Sequence, residues 1–167
     1  MLGRRPPFRY HGRRLRGSGM GQKSELAVRT FQEGCNCAQS VLYPFCAELG
    51  LDPGTALKVA SGFGGGMGRT GEVCGAVTGA ILAIGLRYGG REKGDRAALE
   101  TVYAKTRELI LQFKRKHGTA LCRELLGGCD LSTEEGHRAF KERDLRNKTC
   151  RPCVETAAAL LEELLAR

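Results

Sequence analysis

Apolar residues recur at the spacing of an α-helix in nearly every segment of the chain after residue 20. The clearest stripe lies between residues 37 and 49, where apolar side chains follow one another at three or four positions. The segments 95–117 and 152–166 repeat the pattern, and no segment shows the strict alternation of a half-buried strand. The sequence therefore predicts an all-α, single-domain bundle of about seven helices over residues 21–167.

Two aspartates are expected to open helices. Asp52 followed by Pro53 is a cap followed by a first-turn proline, which predicts a helix from that point. Asp95 is expected to cap the long helix, and Gly118 to end it.

Other helix boundaries depend on hydroxyl side chains and on a proline. Thr70 is expected to cap a central buried helix over residues 72–88, and Ser132 with Glu135 forms a capping-box pattern for a short helix. Pro44 removes a main-chain hydrogen bond within the second helix and should kink it.

Basic charge is concentrated at the start of the chain. Residues 1–20 hold six arginines and no acidic residue, whereas the rest holds 21 basic and 18 acidic residues. This pattern predicts a disordered basic tail, with Met20 as an alternative start, or an arm that binds nucleic acid. Because no basic stripe continues into the domain, we favour the disordered tail and expect no nucleic-acid partner.

The sequence offers no signal for export or membrane insertion. Arg13 and Arg14 would begin a twin-arginine signal only if an apolar stretch of about 7–15 residues followed, and polar residues follow instead. The most apolar run, residues 73–86, is shorter than the ~20 residues that a membrane span requires. We therefore expect a cytoplasmic protein without a membrane-spanning helix.

Eight cysteines carry the reactive chemistry of the sequence. A domain of this length can bury a core without disulfides, so we expect mostly reduced thiols. Cys46 falls on the apolar stripe and is expected in the core, whereas Cys129 is ambiguous. Four others lie at or near expected helix N-termini, where free amides favour a thiolate: Cys37, Cys74, Cys122 and Cys150.

Two short cysteine motifs add to this set. Cys150 and Cys153 form a C-x-x-C motif at the start of the last helix, a spacing that lets two thiols face each other across one turn. The motif suits a redox dithiol or half of a metal site, and the absence of a βαβ pattern argues against a thioredoxin-like fold. Cys35 and Cys37 form a C-x-C motif whose thiols need not face the same way.

A glycine-rich loop over residues 61–71 precedes the central helix. Its second half matches the G-x-G-x-x-G pattern, but no strand precedes it and none ends at the acid Glu92, so we reject a dinucleotide site. The loop either joins two buried helices tightly or forms an anion-binding nest. Its candidate ligand-binding residues are Gly64, Gly65, Gly66 and Gly68.

Small residues give the central helix a nearly flat face. Gly75, Gly79 and Ala83 follow one another at a spacing of four, so another helix can approach closely. The histidines are weaker signals: His117 lies near a helix C-terminus, where a charged ring is favoured, and His137 lies in a polar helix. We expect none of the histidines, including His11 of the tail, to be a ligand.

The cysteine segments resemble the C_GCAxxG_C_C family of redox-active proteins. The resemblance covers about residues 23–165 in order and rests on GCNCAQSVL (34–42), FGGGMG (63–68), CGAVTG (74–79), CRELLG (122–127) and Cys150. It implies that the family's four cysteines are Cys37, Cys74, Cys122 and Cys150. The family is bacterial and archaeal, and its genes often neighbour transporter or oxidoreductase genes. Export signals on some members have suggested an iron–sulfur or similar centre.

Two departures from the family pattern add thiols to this chain. Cys35 stands where the family usually has an aromatic residue, and Cys153 is an extra thiol beside Cys150. These additions make local disulfide chemistry more available here than in relatives, and they weaken any claim that the four family cysteines act alone.

Residues and resemblance together predict a cysteine-based redox or electron-transfer protein. Its thiols would converge as a dithiol or as a thiolate–metal site for an iron–sulfur cluster or zinc. The metal ligands would be the four family cysteines, and Cys153 would join them in redox chemistry. The expected partner is a redox protein or a transporter. The alternative is a non-catalytic accessory protein that carries a metal or an oxyanion for a transporter or oxidoreductase.

Overall fold

A computed structural model describes residues 21–167, which form a single all-α domain. The sequence-based expectations for residues 1–20 lie outside the described residues. The helices are α1 Gln22–Gln32, α2 Cys37–Cys46, α3 Pro53–Val59, α4 Gly64–Met67, α5 Gly75–Tyr88, α6 Arg96–His117, α7 Cys122–Leu125, α8 Glu134–Glu142 and α9 Arg151–Leu165. In this part of the chain, α4 and α7 are single turns, so the seven longer helices match the predicted number. The described residues contain no strand, only one isolated bridge between Val73 and Leu121.

Helix α5 is the central element of the bundle. It packs against α2, α6 and α9, and its residues from Gly75 to Ala80 are buried. The predicted flat face is real, because a β-carbon on Gly79 would lie 2.4 Å from the carbonyl oxygen of Ala38. Contact this close holds the start of α5 against the first turn of α2. The two helix starts carry Cys74 and Cys37.

The predicted aspartate caps are confirmed. The Asp52 carboxylate accepts a hydrogen bond from the amide of Thr55, and Pro53 is the first residue of α3. The Asp95 carboxylate accepts from the amide of Ala98 at the start of α6. Gly118 ends α6 with a positive φ of +81°.

The predicted cap and start of the central helix are wrong. The Thr70 hydroxyl donates instead to the carbonyl oxygens of Gly66 and Met67 within the preceding loop. Helix α5 begins only at Gly75, and Cys74 occupies the N-cap position. The loop is therefore longer than predicted, and it leads directly into the first candidate thiol.

The predicted cap of α8 is also wrong, by one position. The Ser132 hydroxyl donates to the Asp130 carboxylate, a stronger acceptor that lies two residues away. Thr133 caps α8 instead, because its hydroxyl oxygen accepts a hydrogen bond from the amide of Gly136.

The chain is already helical before the predicted start of α9. A π-helical turn, Arg146–Cys150, continues into α9, so Cys150 has helical backbone on both sides. Cys150 is therefore not at a free helix N-terminus, contrary to the sequence-based expectation. Helix α2 continues for two residues past Pro44 and ends at Cys46.

A candidate thiol site

Main-chain hydrogen bonds hold Cys74 and Cys122 close together. The amide of Cys74 donates to the carbonyl of Ala120 at 2.8 Å, and the amide of Cys122 donates to the carbonyl of Glu72 at 2.7 Å. These bonds flank the isolated bridge described above. They hold the end of the glycine-rich loop against the start of α7 through main-chain atoms alone.

One cavity of about 630 Å³ is lined by all five predicted site cysteines: Cys37, Cys74, Cys122, Cys150 and Cys153. They come from the starts of α2, α5, α7 and α9 and from the π-helical turn. Cys37 and Cys150 are partly exposed, and the other three are buried. Elements distant in sequence thus bring their thiols to one place.

Of the four candidate glycines in the loop, three line the cavity and one packs closely against Cys122. Gly64, Gly65 and Gly68 line the cavity, whereas Gly66 does not. A β-carbon on Gly66 would lie 2.6 Å from the β-carbon of Cys122, and its φ is +69°. Gly66 is therefore needed for backbone conformation and close packing, and the structure does not place it among the cavity residues.

Cys74 and Cys153 form the first thiol pair. The Cys153 thiol donates a hydrogen bond to the sulfur of Cys74 and lowers the pKa of Cys74, and the amides of Ala76 and Val77 lower it further. The same hydrogen bond raises the pKa of Cys153. The predicted effect of the helix N-terminus at Cys74 is therefore present, but the neighbouring thiol contributes more.

Cys37 and Cys150 form the second thiol pair. A hydrogen bond with Cys150, followed by burial and the neighbouring cysteines, raises the pKa of Cys37. Cys150 also contributes to the raised pKa of Cys153, so the two thiols of the C-x-x-C motif lie near each other. Cys150 contacts Cys37 at the start of α2, while Cys153 contacts Cys74 at the start of α5.

Cys122 differs from the four paired thiols. Burial, together with Cys74, Cys150 and Cys129, raises the pKa of Cys122 to about 12. The helix N-terminus does not favour a thiolate here, because α7 is a single turn and its first amide is bonded to Glu72. Cys122 packs with Leu126, Cys129 and Leu145 in a small apolar cluster.

The remaining cysteines lie away from the cavity wall. Cys46 is 1% exposed in the main core, as predicted, and its thiol donates to the carbonyl of Tyr43. Cys129 is buried and donates to the carbonyl of Gly136. Burial, followed by Glu33, raises the pKa of Cys35.

His117 is a neighbour of the site that the sequence analysis did not select. Its Nδ1 lies 3.9 Å from Sγ of Cys153, and its ring stacks on Phe113 with the centroids 4.6 Å apart. Burial, followed by Lys116, lowers the pKa of His117, which is opposite to the effect expected of a helix C-terminus. A signal was available, because position 117 lies four residues after Phe113 on the apolar stripe of α6.

The thiols do not form a ready metal site. Among residues 21–167, no group of three or more cysteine, histidine, aspartate or glutamate side chains has an arrangement that could hold a metal ion. A tetrahedral set of four thiolates from Cys37, Cys74, Cys122 and Cys150 therefore stays a prediction.

The fold and the cavity define a small all-α protein with a clustered set of free thiols. Residues 35–164 match the family described as "Putative redox-active protein (C_GCAxxG_C_C)", and the chain belongs to this family. A protein of Archaeoglobus fulgidus described as "Uncharacterized protein" is 30% identical over 124 residues, covering 70% of this chain and 82% of that protein. No solved structure matches the chain significantly. In the described part of the chain, no helix has both the length and the apolar character of a membrane span.

Proposed function

We propose that this protein is a thiol–disulfide redox protein with two dithiols, Cys37 with Cys150 and Cys74 with Cys153. The observation that carries the proposal is that these four thiols line the wall of one cavity. The assigned pairs are supported by the pKa shifts of Cys37 and Cys74, each of which has a neighbouring thiol as its first cause. Each pair loses two electrons and two protons when its disulfide forms. The protein can therefore hold up to four electrons at one site.

Cys74 is assigned the role of attacking thiolate. Its hydrogen-bond donors stabilise the thiolate, which is the nucleophile in thiol–disulfide exchange. Attack on a substrate disulfide gives a mixed disulfide and releases one substrate thiolate. Cys153, already in contact with Cys74, then attacks the Cys74 sulfur, closes the internal disulfide and releases the second thiolate.

His117 is placed to take the proton that Cys153 loses as it attacks. A neutral ring protonated on Nε2 presents Nδ1 as an acceptor, and Nδ1 is the atom that faces Cys153. The pair Cys37 and Cys150 would return electrons to Cys74 and Cys153 by a second exchange. Its partial exposure makes it the pair that an external reductant reaches.

The paired arrangement favours this function over a metal site, and one experiment separates them. Anaerobically purified protein is first analysed for iron, sulfide and zinc. It is then reduced, freed of reductant and titrated with a mild oxidant, and its disulfides are mapped by mass spectrometry of unreduced peptides. We expect four of the eight thiols to be lost reversibly as the disulfides Cys37–Cys150 and Cys74–Cys153.

Two variants test the assignment of the thiol pairs. Cys153→Ala should retain only the Cys37–Cys150 disulfide, and the control Cys46→Ala should retain both. Iron with sulfide, or zinc, bound stoichiometrically through the cavity cysteines would overturn the proposal in favour of a metal centre. Oxidation that joins Cys150 to Cys153, or Cys35 to Cys37, would overturn the assigned pairs.

A further inference from the structure

The wall of the thiol cavity carries basic side chains and no carboxylate. Its lining includes Arg69, Lys141 and Arg146, but no aspartate or glutamate. Arg146 is already engaged, because its guanidinium donates to the carbonyl of Phe31 and lies 4.0 Å from the centroid of the Phe31 ring. The charges available to a ligand are therefore those of Arg69 and Lys141.

Neither of these two cations is neutralised by an acidic side chain. The salt bridges within residues 21–167 involve other cations, and residues 1–20 contain no acid. Arg69 and Lys141 are both exposed. They lie on the glycine-rich loop and on α8, so they approach the cavity from two different elements.

The size of the cavity and the burial of its thiols limit what can react there. A volume of about 630 Å³ is typical of sites for small molecules. Cys74 is 4% exposed and Cys153 is 1% exposed. A disulfide on the surface of a folded protein cannot reach sulfurs this deeply placed, whereas a small molecule that enters the cavity meets them.

We propose that the oxidant of the dithiols is a small disulfide that carries anionic groups such as carboxylates. This inference rests on the proposed function and names the substrate class of the same site. Its anionic groups would lie near Arg69 and Lys141 while its sulfurs face Cys74. One substrate S–S bond breaks, the Cys74–Cys153 bond forms, and two small thiols leave with the two protons and two electrons of the dithiol.

The test compares three small disulfides of similar size and different charge. Dithiodiglycolate carries two negative charges, hydroxyethyl disulfide is neutral, and cystamine carries two positive charges. Each oxidises the reduced, anaerobic full-length protein, and each rate is divided by the rate at which the same disulfide oxidises free dithiothreitol. We expect the normalised rate to fall from the anionic through the neutral to the cationic probe, with the differences shrinking as salt is added.

Variants that each remove one positive charge, inside or outside the cavity, test where the preference for the anionic disulfide arises. Arg69→Gln and Lys141→Gln should each lower the ratio of the normalised rate with dithiodiglycolate to that with hydroxyethyl disulfide by about threefold or more. Arg91→Gln and Lys93→Gln remove the same charges from an exposed loop outside the cavity lining. They should leave all three rates unchanged.

The outcomes separate this inference from the proposed function. Equal normalised rates for the three probes, or equal losses in the cavity and control variants, would overturn the inference while the assigned disulfides still form. Oxidation by a protein disulfide but by none of the three probes would do the same. Failure of every oxidant to form either assigned disulfide would overturn both.

Discussion

Nδ1 of His117 lies 3.9 Å from Sγ of Cys153, and Nε2 of the same ring is buried with no hydrogen-bond partner in the described part of the chain. Burial, followed by the charge of Lys116, lowers the pKa of the ring. The imidazole therefore stays neutral under conditions that charge a solvent-exposed histidine. A neutral ring can accept a proton from Cys153, which a charged ring cannot do.

The lowered pKa of His117 predicts a loss of stability in mild acid. In the unfolded chain the ring takes up a proton at about pH 6.5, whereas in the folded protein it resists protonation to lower pH. The full contribution is present above about pH 6.5 and declines as the pH falls from that value towards the folded pKa. Thermal unfolding should therefore show a larger fall in midpoint below about pH 6.5 for the wild type than for His117→Gln. Equal falls would contradict the assignment.

The lowered pKa of Cys74 predicts that it is the first thiol to ionise. Raising the pH of reduced, metal-free protein should produce an ultraviolet thiolate absorbance that begins below the ordinary value of 9.0. Cys74→Ala should lose this first step. Cys46→Ala should retain it, since burial raises the pKa of Cys46. The idea fails if both variants titrate alike.

The close approach of α5 to α2 predicts a strong effect of one added methyl group. Gly79→Ala places a β-carbon 2.4 Å from the Ala38 carbonyl oxygen, and overpacking of this kind should lower the free energy of unfolding by about 1–3 kcal/mol. It should also slow formation of the Cys37–Cys150 disulfide, because Cys37 is the neighbour of Ala38. Urea denaturation and timed thiol trapping measure the two effects.

Gly85 provides the matched control for this substitution. It lies on the same helix, and a β-carbon there would meet nothing within 4 Å. Gly85→Ala should leave disulfide formation unchanged and stabilise the protein by up to about 1 kcal/mol, through the higher helix propensity of alanine. Destabilisation of similar size at both positions would mean that close packing is not the cause.

Arg146 is predicted to position the turn that carries Cys150. Its guanidinium donates to the carbonyl of Phe31 and stacks on that ring, which holds the π-helical turn against the end of α1. Arg146→Ala should lower the free energy of unfolding by about 2–3 kcal/mol and slow closure of the Cys37–Cys150 disulfide. Arg146→Lys should not restore the wild-type behaviour, because an ammonium group lacks the planar fork of donors.

The exposed Lys148 of the same turn is the control for Arg146. Lys148→Ala should change stability by no more than about 0.5 kcal/mol and leave the rate of disulfide closure unchanged. Equal losses in the two variants would show that general charge, rather than the contact with Phe31, holds the turn.

The class of fold was predictable because its determinants are local. Apolar spacing marks α6 and α9, and the caps at Asp52 and Asp95 act within three residues of their own position. The hydroxyl caps failed for an equally local reason. The Thr70 hydroxyl bonds to a carbonyl of the glycine-rich loop, and the Ser132 hydroxyl bonds to the Asp130 carboxylate. The sequence alone does not show which of several nearby acceptors such a hydroxyl will choose.

The members of the cavity were predictable, but their partners were not. Helix starts and family motifs selected four of the five cysteines that line the cavity, and the C-x-x-C motif added Cys153. Which thiol meets which depends on how α9 lies against α2 and α5, a long-range property that residue spacing does not encode. His117 was passed over because its importance comes from Cys153, which lies 36 residues further along the chain.

The C-x-x-C motif can affect the stability of the bundle because its two thiols face different helices. If both assigned disulfides form, α9 becomes covalently tied to the starts of α2 and α5, and each tie closes a long loop of chain. Either crosslink alone restricts the unfolded chain and stabilises the native state by about 4.5–5 kcal/mol on the loop-entropy model. The redox state of the cysteines would then determine how often the helical bundle unfolds. A protease should therefore degrade the oxidised protein more slowly than the reduced protein.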